Sequence, residues 1–272
     1  MKHDNDTSYI KIVLDPICVC ARYKPKFGQG AKGAGLTLQQ FRSLYKSDPF
    51  YNWFGLDNPL MYAAHKAAGG MTSVYRQIGI GCEKLFRTIL KDSLGLAATD
   101  VAWSYEIPLP SGKTRTLHLD GRVPLNKIAD PDKRKRFHSW MQVSAEKVGV
   151  DRKIFDSLTG TVFEIRQGYK SKDSKRQNAD IANAATAYAK AYFPCAAILS
   201  AQIDGDILLR YRAERWSVIT GILGANDPLI STYDFMRDVV GYDLAAFFER
   251  NCKTFRTEID AVLKALLAPE TT

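Results

Sequence analysis

The sequence has no apolar run near the roughly 20 residues that span a bilayer, no internal repeat and no low-complexity linker. No membrane is therefore expected among its partners, and a solenoid or a string of loosely linked domains is set aside. Met1-Lys-His-Asp-Asn-Asp is polar and partly acidic, unlike a signal peptide. Cysteine is scarce: Cys18, Cys20, Cys82, Cys195 and Cys252 are odd in number and scattered. A disulfide framework is not expected, and a reducing, cytoplasmic setting is. Cys18 and Cys20 lack a partner pair, and His3, His65, His118 and His138 show no ligand spacing, so no zinc site is expected. No Gly-x-Ser-x-Gly motif points to an esterase. Gly28, Gly30, Gly33 and Gly35 lack the spacing and context of a phosphate-binding loop, so no organic cofactor is expected.

What the sequence has in excess is positive charge. There are 38 Lys plus Arg against 29 Asp plus Glu, a net charge of +9. With 46% apolar and 11% aromatic residues there is ample material for a packed core, and disorder is not expected. The charge is uneven. Residues 1–100 carry 13 basic and 8 acidic side chains, residues 101–176 carry 16 and 9, and residues 177–272 carry 9 and 12. A basic stripe favours a polyanionic partner such as nucleic acid; ordinary solubility is the bland alternative.

The length of 272 residues suits a single domain, with an N-terminal arm and helices over 1–71, a core over 72–225 and C-terminal helices over 226–272. Residues 9–20 read as a strand or an apolar packing arm, and residues 24–35 as a basic, glycine-rich loop. Thr37 is a candidate N-cap for a short helix, and residues 48–60 read as irregular. Gly69-Gly70 is expected to break the chain before a helix capped by Thr72 or Ser73 and running to Leu94. Gly79 and Gly81 inside it suggest close packing against a neighbour or a ligand. Residues 101–109 alternate, Pro110-Ser-Gly-Lys turns, and residues 114–123 return as one strand, giving a hairpin. Asp130-Pro131 opens a helix to about Val148. Residues 161–166 are a strand, and Asp173 or Ser174 caps a helix through Tyr188. Pro194 breaks the chain before a buried strand from Cys195. Asp204-Gly205 turns into a strand over 207–212, and helical patterns follow from about Ser231 to Leu267. The order predicts an α/β fold with a mixed central β-sheet flanked by helices.

Two carboxylates stand out. Asp120 lies in Leu117-His-Leu-Asp-Gly-Arg, and Glu164 in Val162-Phe-Glu-Ile-Arg-Gln-Gly. Residues two apart share a strand face, so Glu164 and Arg166 point one way while Phe163 and Ile165 point the other. A carboxylate on a central strand is costly unless a cation accompanies it. Two carboxylates on adjacent strands form a hard-oxygen site suited to Mg2+. The structural alternative is a turn at Asp120-Gly121 and an ion pair of Glu164 with Arg166. His118 shares the face of Asp120, so it reads as a neighbour to that residue or, more simply, as a hydrogen-bonded surface histidine.

Asp120-Gly-Arg, the later Phe163-Glu-Ile-Arg-Gln-Gly, the following helix and the buried strand resemble the PD-(D/E)XK nuclease superfamily, which includes most type II restriction endonucleases. The resemblance covers roughly residues 72–200. It implies a restriction-endonuclease-like core with helical N- and C-terminal additions. Glu83, in Cys82-Glu-Lys84, resembles the acidic residue that many members place near the metal. Arg166 stands where the family has a lysine. A guanidinium cannot accept a proton, though it can hold a phosphate. Lys170 or Lys175 is a candidate substitute. The 44 positions between Asp120 and Glu164 imply an inserted helix. Pro131-Asp132 is better explained as a helix start.

The resemblance implies a Mg2+-dependent endonuclease that hydrolyses double-stranded DNA as a homodimer in a restriction-modification system. Asp120 and Glu164 would hold Mg2+, with Glu83 as an extra ligand, and Arg166 or Lys170 would contact the scissile phosphate or the attacking water. Tyr169, Ser171, Lys172, Lys175, Arg176, Gln177 and Asn178 are of the types that contact DNA. Lys133 and Arg134 belong to a basic run that is a DNA surface or a solvated helix face. The alternatives are a repair or junction-resolving nuclease, a non-catalytic nucleic-acid-binding protein and a charged scaffold.

Overall fold

Helix boundaries follow local capping chemistry wherever that chemistry is present. The computed structural model describes residues 5–27, 35–108, 114–168 and 184–268. In chain order the helices are α1 Asp6–Cys18, α2 Leu38–Ser47, α3 Pro49–Trp53, α4 Pro59–Leu94, α5 Ala98–Val101, α6 Pro131–Lys147, α7 Arg152–Phe155, α8 over 184–189, α9 Gly205–Ala213, α10 Thr232–Asp234, α11 Leu244–Arg250 and α12 Cys252–Leu267. The strands are β1 Trp103–Pro108, β2 Thr114–Leu119, β3 Gly121–Pro124, β4 Gly160–Arg166, β5 Tyr192–Ile198 and β6 Ser217–Ile219. Among the described residues no helix is long and apolar enough to cross a membrane.

The chain forms two compact units, Met1–Gly81 with Arg250–Thr272, and Cys82–Glu249. These divisions differ from the sequence-based boundaries after residues 71 and 225.

In the first unit, Thr37 caps α2 through a capping box with Gln40. Residues 9–20 are helical rather than a strand or an extended arm, because Tyr9, Val13, Leu14 and Ile17 bury one helical face. Residues 48–60 are not irregular throughout. Asp48 caps α3, with Pro49 at its first position, and the Asn58 side chain accepts from the Leu60 amide at the start of α4. Helix α4 runs unbroken through Gly69-Gly70 for 36 residues. Those glycines answer tertiary contacts. A Cβ on Gly69 would strike the Tyr23 ring, and one on Gly70 would come within 2.5 Å of Leu266 Cδ2. Within this unit Arg250 forks onto the Asp6 carboxylate at 2.6 and 2.7 Å.

In the second unit β1 and β2 form an antiparallel pair with Trp103 opposite Leu119. The expected second strand is interrupted at Asp120, and its continuation, β3, joins a separate sheet. That sheet is ordered β3-β4-β5-β6, antiparallel across the first pair and parallel across the other two. The second unit is thus mixed α/β, with a mixed sheet flanked by helices. On one face Phe163 meets Phe86 of α4, Phe137 and Trp140 of α6, and Phe235. On the other, Val162, Ala196, Ile198 and Val218 pack with Ala184 and Ala187 of α8, Ile207 and Tyr211 of α9, and Trp103 of the hairpin. Fully burying each large side chain contributes roughly 1.5–3 kcal/mol.

Two further expectations are corrected. Residues 207–212 belong to α9, capped by Asp204, because Ile207 and Tyr211 are buried one helical turn apart. Pro194 lies inside β5. It precedes Cys195, the first residue paired with β6, so its missing N–H costs no bond on that side. Strand β6 and the π-helical turn Phe235–Val240 were not anticipated. Asp130 caps α6 as expected. The Pro110–Lys113 turn, the loop at 28–34 and the caps Asp173 and Ser174 lie outside the described residues.

Candidate active site

The junction between β2 and β3 carries Asp120, and β4 carries Glu164. Gly121 faces Phe163 across the antiparallel pair, so the two acidic residues are neighbours across adjacent strands. The backbone of Asp120 donates from its N–H to Phe163 O at 2.9 Å. Its side chain then takes over a backbone role: Oδ2 accepts the Ile165 N–H at 2.8 Å. On β4 this amide points to the β3 side, where β3 no longer supplies a carbonyl.

Glu164 is 4% exposed and ion-paired with the Arg166 guanidinium on the same strand face. Phe163 and Ile165 are buried in the opposite layer, as strand alternation requires. Glu83 arrives from α4. Its carboxylate lies 3.6 Å from Arg87 Nη1, one helical turn on, and Arg87 Nη1 also donates to Asp120 O at 3.0 Å. Burial raises the Glu83 pKa above the usual carboxylate range, and the charge of Asp120 raises it further. Arg87, Arg166 and Lys84 pull it the other way.

The structure therefore brings Glu83, Asp120, Glu164 and Arg166 into one neighbourhood. It adds Arg87, which sequence reasoning missed although its i+4 spacing from Glu83 was visible. Lys133 Nζ donates to Ser93 O at 2.6 Å at the end of α4, while Arg134 is exposed. His118 is exposed on β2. Lys170 and the candidates Tyr169, Ser171, Lys172, Lys175, Arg176, Gln177 and Asn178 lie outside the described residues.

Among the described residues no three His, Cys, Asp or Glu side chains form a group that could hold a metal ion. A hard cation with one or two carboxylates needs no such cage, since Mg2+ is commonly completed by water and substrate phosphate. The donor chemistry fits it. Carboxylate oxygens are the donors a hard cation takes, and the Glu83 pKa is raised first by burial and then by the neighbouring Asp120 charge. No family model, curated protein or solved structure matches the chain.

Proposed function

We propose that the protein is a Mg2+-dependent endonuclease for double-stranded DNA, of the type II restriction kind and working as a homodimer. The observation that carries the reading is the placement of Asp120, just before β3, against the β4 strand that carries Glu164, with Glu83 electrostatically coupled to Asp120. Asp120 and Glu164 would hold the metal, completed by water and substrate phosphate, and Glu83 stands by as a charge coupled to Asp120. Bound Mg2+ would supply water activation and neutralise charge at the attacked phosphate. Arg166 stays protonated, so its part is to bind a phosphate oxygen and not to accept a proton. The net charge of +9 supports a polyanionic substrate.

One observation favours a second reading. Arg166 is engaged by Glu164, so a nucleic-acid-binding protein that does not cleave would suit the same arrangement. Incubation of plasmid with Mg2+ or Mn2+ separates the two. Discrete fragments that disappear with Asp120→Asn or Glu164→Gln are the expected result. Cutting confined to branched or damaged DNA would instead favour a repair or junction-resolving enzyme, and intact plasmid under both metals would remove the enzymatic reading.

A further inference from the structure

Large exposed apolar side chains gather at one place in the first unit. On α3 and its C-cap, Phe50, Trp53 and Phe54 follow the i, i+3, i+4 spacing of a single helical face. They are 59%, 80% and 69% exposed. The face is firmly held. Asp48 accepts from the Phe50 and Tyr51 amides, and the Phe50 and Phe54 rings lie 5.1 Å apart. Tyr51 stacks on Tyr45 at 4.9 Å, and Tyr45 in turn packs on the buried Phe41. At roughly 150–250 Å² for a whole aromatic side chain, Phe50, Tyr51, Trp53 and Phe54 present about 500 Å² to solvent. Apolar patches of several hundred Å² mark contacts. Two copies apposed through this one would bury about 1,000 Å² from the rings alone, the floor for a specific interface.

Charge narrows the choice of occupant. From Ser47 to Ala64 there is no Lys or Arg, in a chain where 38 of 272 residues are basic. Aromatic platforms for nucleic-acid bases sit in positively charged grooves, and helices that lie on membranes carry Lys and Arg on their polar face. This segment offers neither. Two copies of a chain with net charge +9 repel across most of their surface. An aromatic stretch free of basic residues is where they can approach.

We propose that the face of Phe50, Trp53 and Phe54 is the contact between two copies of this chain. The choice of a second copy rests on the homodimer of the proposed function, whereas the surface rests on its own area and charge. Sedimentation of the full chain over a range of concentrations tests it. A dimer is expected, and the double variant Trp53→Ser, Phe54→Ser should weaken it at least about 30-fold. Circular dichroism should stay unchanged, because both side chains are exposed. Trp53 supplies a second readout, since Trp103, Trp140 and Trp216 are buried. Acrylamide quenching of tryptophan should rise as the wild type is diluted into monomers. Asp120→Asn should dimerise like the wild type, so a failure of cleavage leaves this surface standing. A dimer of equal affinity in the double variant overturns the surface but keeps the homodimer. A wild type monomeric at all concentrations overturns both. A double variant that keeps the dimer but loses affinity for a DNA duplex, or for anionic vesicles, assigns the face to that partner and overturns the proposal.

Discussion

Asp120 serves the backbone as well as the candidate site, and the two roles separate by mutation. Asp120→Ala leaves the Ile165 amide without its acceptor and should lower stability by roughly 1–3 kcal/mol, read from urea midpoints. Asp120→Asn keeps a carbonyl oxygen for that amide and should cost less than half as much, while losing cleavage as completely. Glu83 makes a pH-dependent prediction. Its raised pKa means the folded state holds the proton to higher pH than the unfolded state does. The associated stability is present below the ordinary carboxylate pKa and is lost as pH rises through the raised value. Glu83→Gln should therefore melt higher than wild type near neutral pH, by on the order of 1–3 °C. The gap should close in scans below about pH 4. The shared strand face of Glu164 and Arg166 was legible because strand alternation fixes it, and Glu83 and Asp120 were marked by short local patterns. The bonds from Arg87 to Asp120 O and from the Ile165 amide to Asp120 were not, because they join segments far apart in sequence.

Elements were legible where their determinants are local. Thr37 and Asp130 announce helix starts by side-chain chemistry that does not depend on the rest of the fold. Residues 9–20 and 207–212 are short apolar patterns that fit either period, and only packing decides them. Glycine was misread at 69–70 because its contacts come from Tyr23 and Leu266, distant in the chain. Two other glycines of α4 give a matched test. A Cβ on Gly79 would meet nothing within 4 Å, so Gly79→Ala should stabilise by roughly 0.5–1 kcal/mol. A Cβ on Gly81 would lie 2.8 Å from Val13 O, a backbone atom that cannot swing away. Gly81→Ala should destabilise by roughly 1–3 kcal/mol. Thermal or urea unfolding of the two variants should move in opposite directions.

Over the whole molecule, the charge divides between the units as 14 basic and 8 acidic residues in the first, net +6, and 24 and 21 in the second, net +3. The excess over residues 101–176 is thus largely offset within its own unit, and the smaller first unit carries the denser charge. If DNA is the partner, duplex affinity measured by fluorescence anisotropy should fall at least about 10-fold between roughly 50 and 200 mM salt. A charged scaffold without that partner gives no such dependence. The division at Gly81/Cys82 falls inside α4, and Glu83 is the second residue beyond it. Excising the second unit at that boundary would make Glu83 part of a new helix end, where amides lack partners and the first turn frays. Glu83 thus takes its rigidity from the preceding turns of the same helix. Proteolysis within those turns would loosen Glu83 without breaking the chain at any residue of the site.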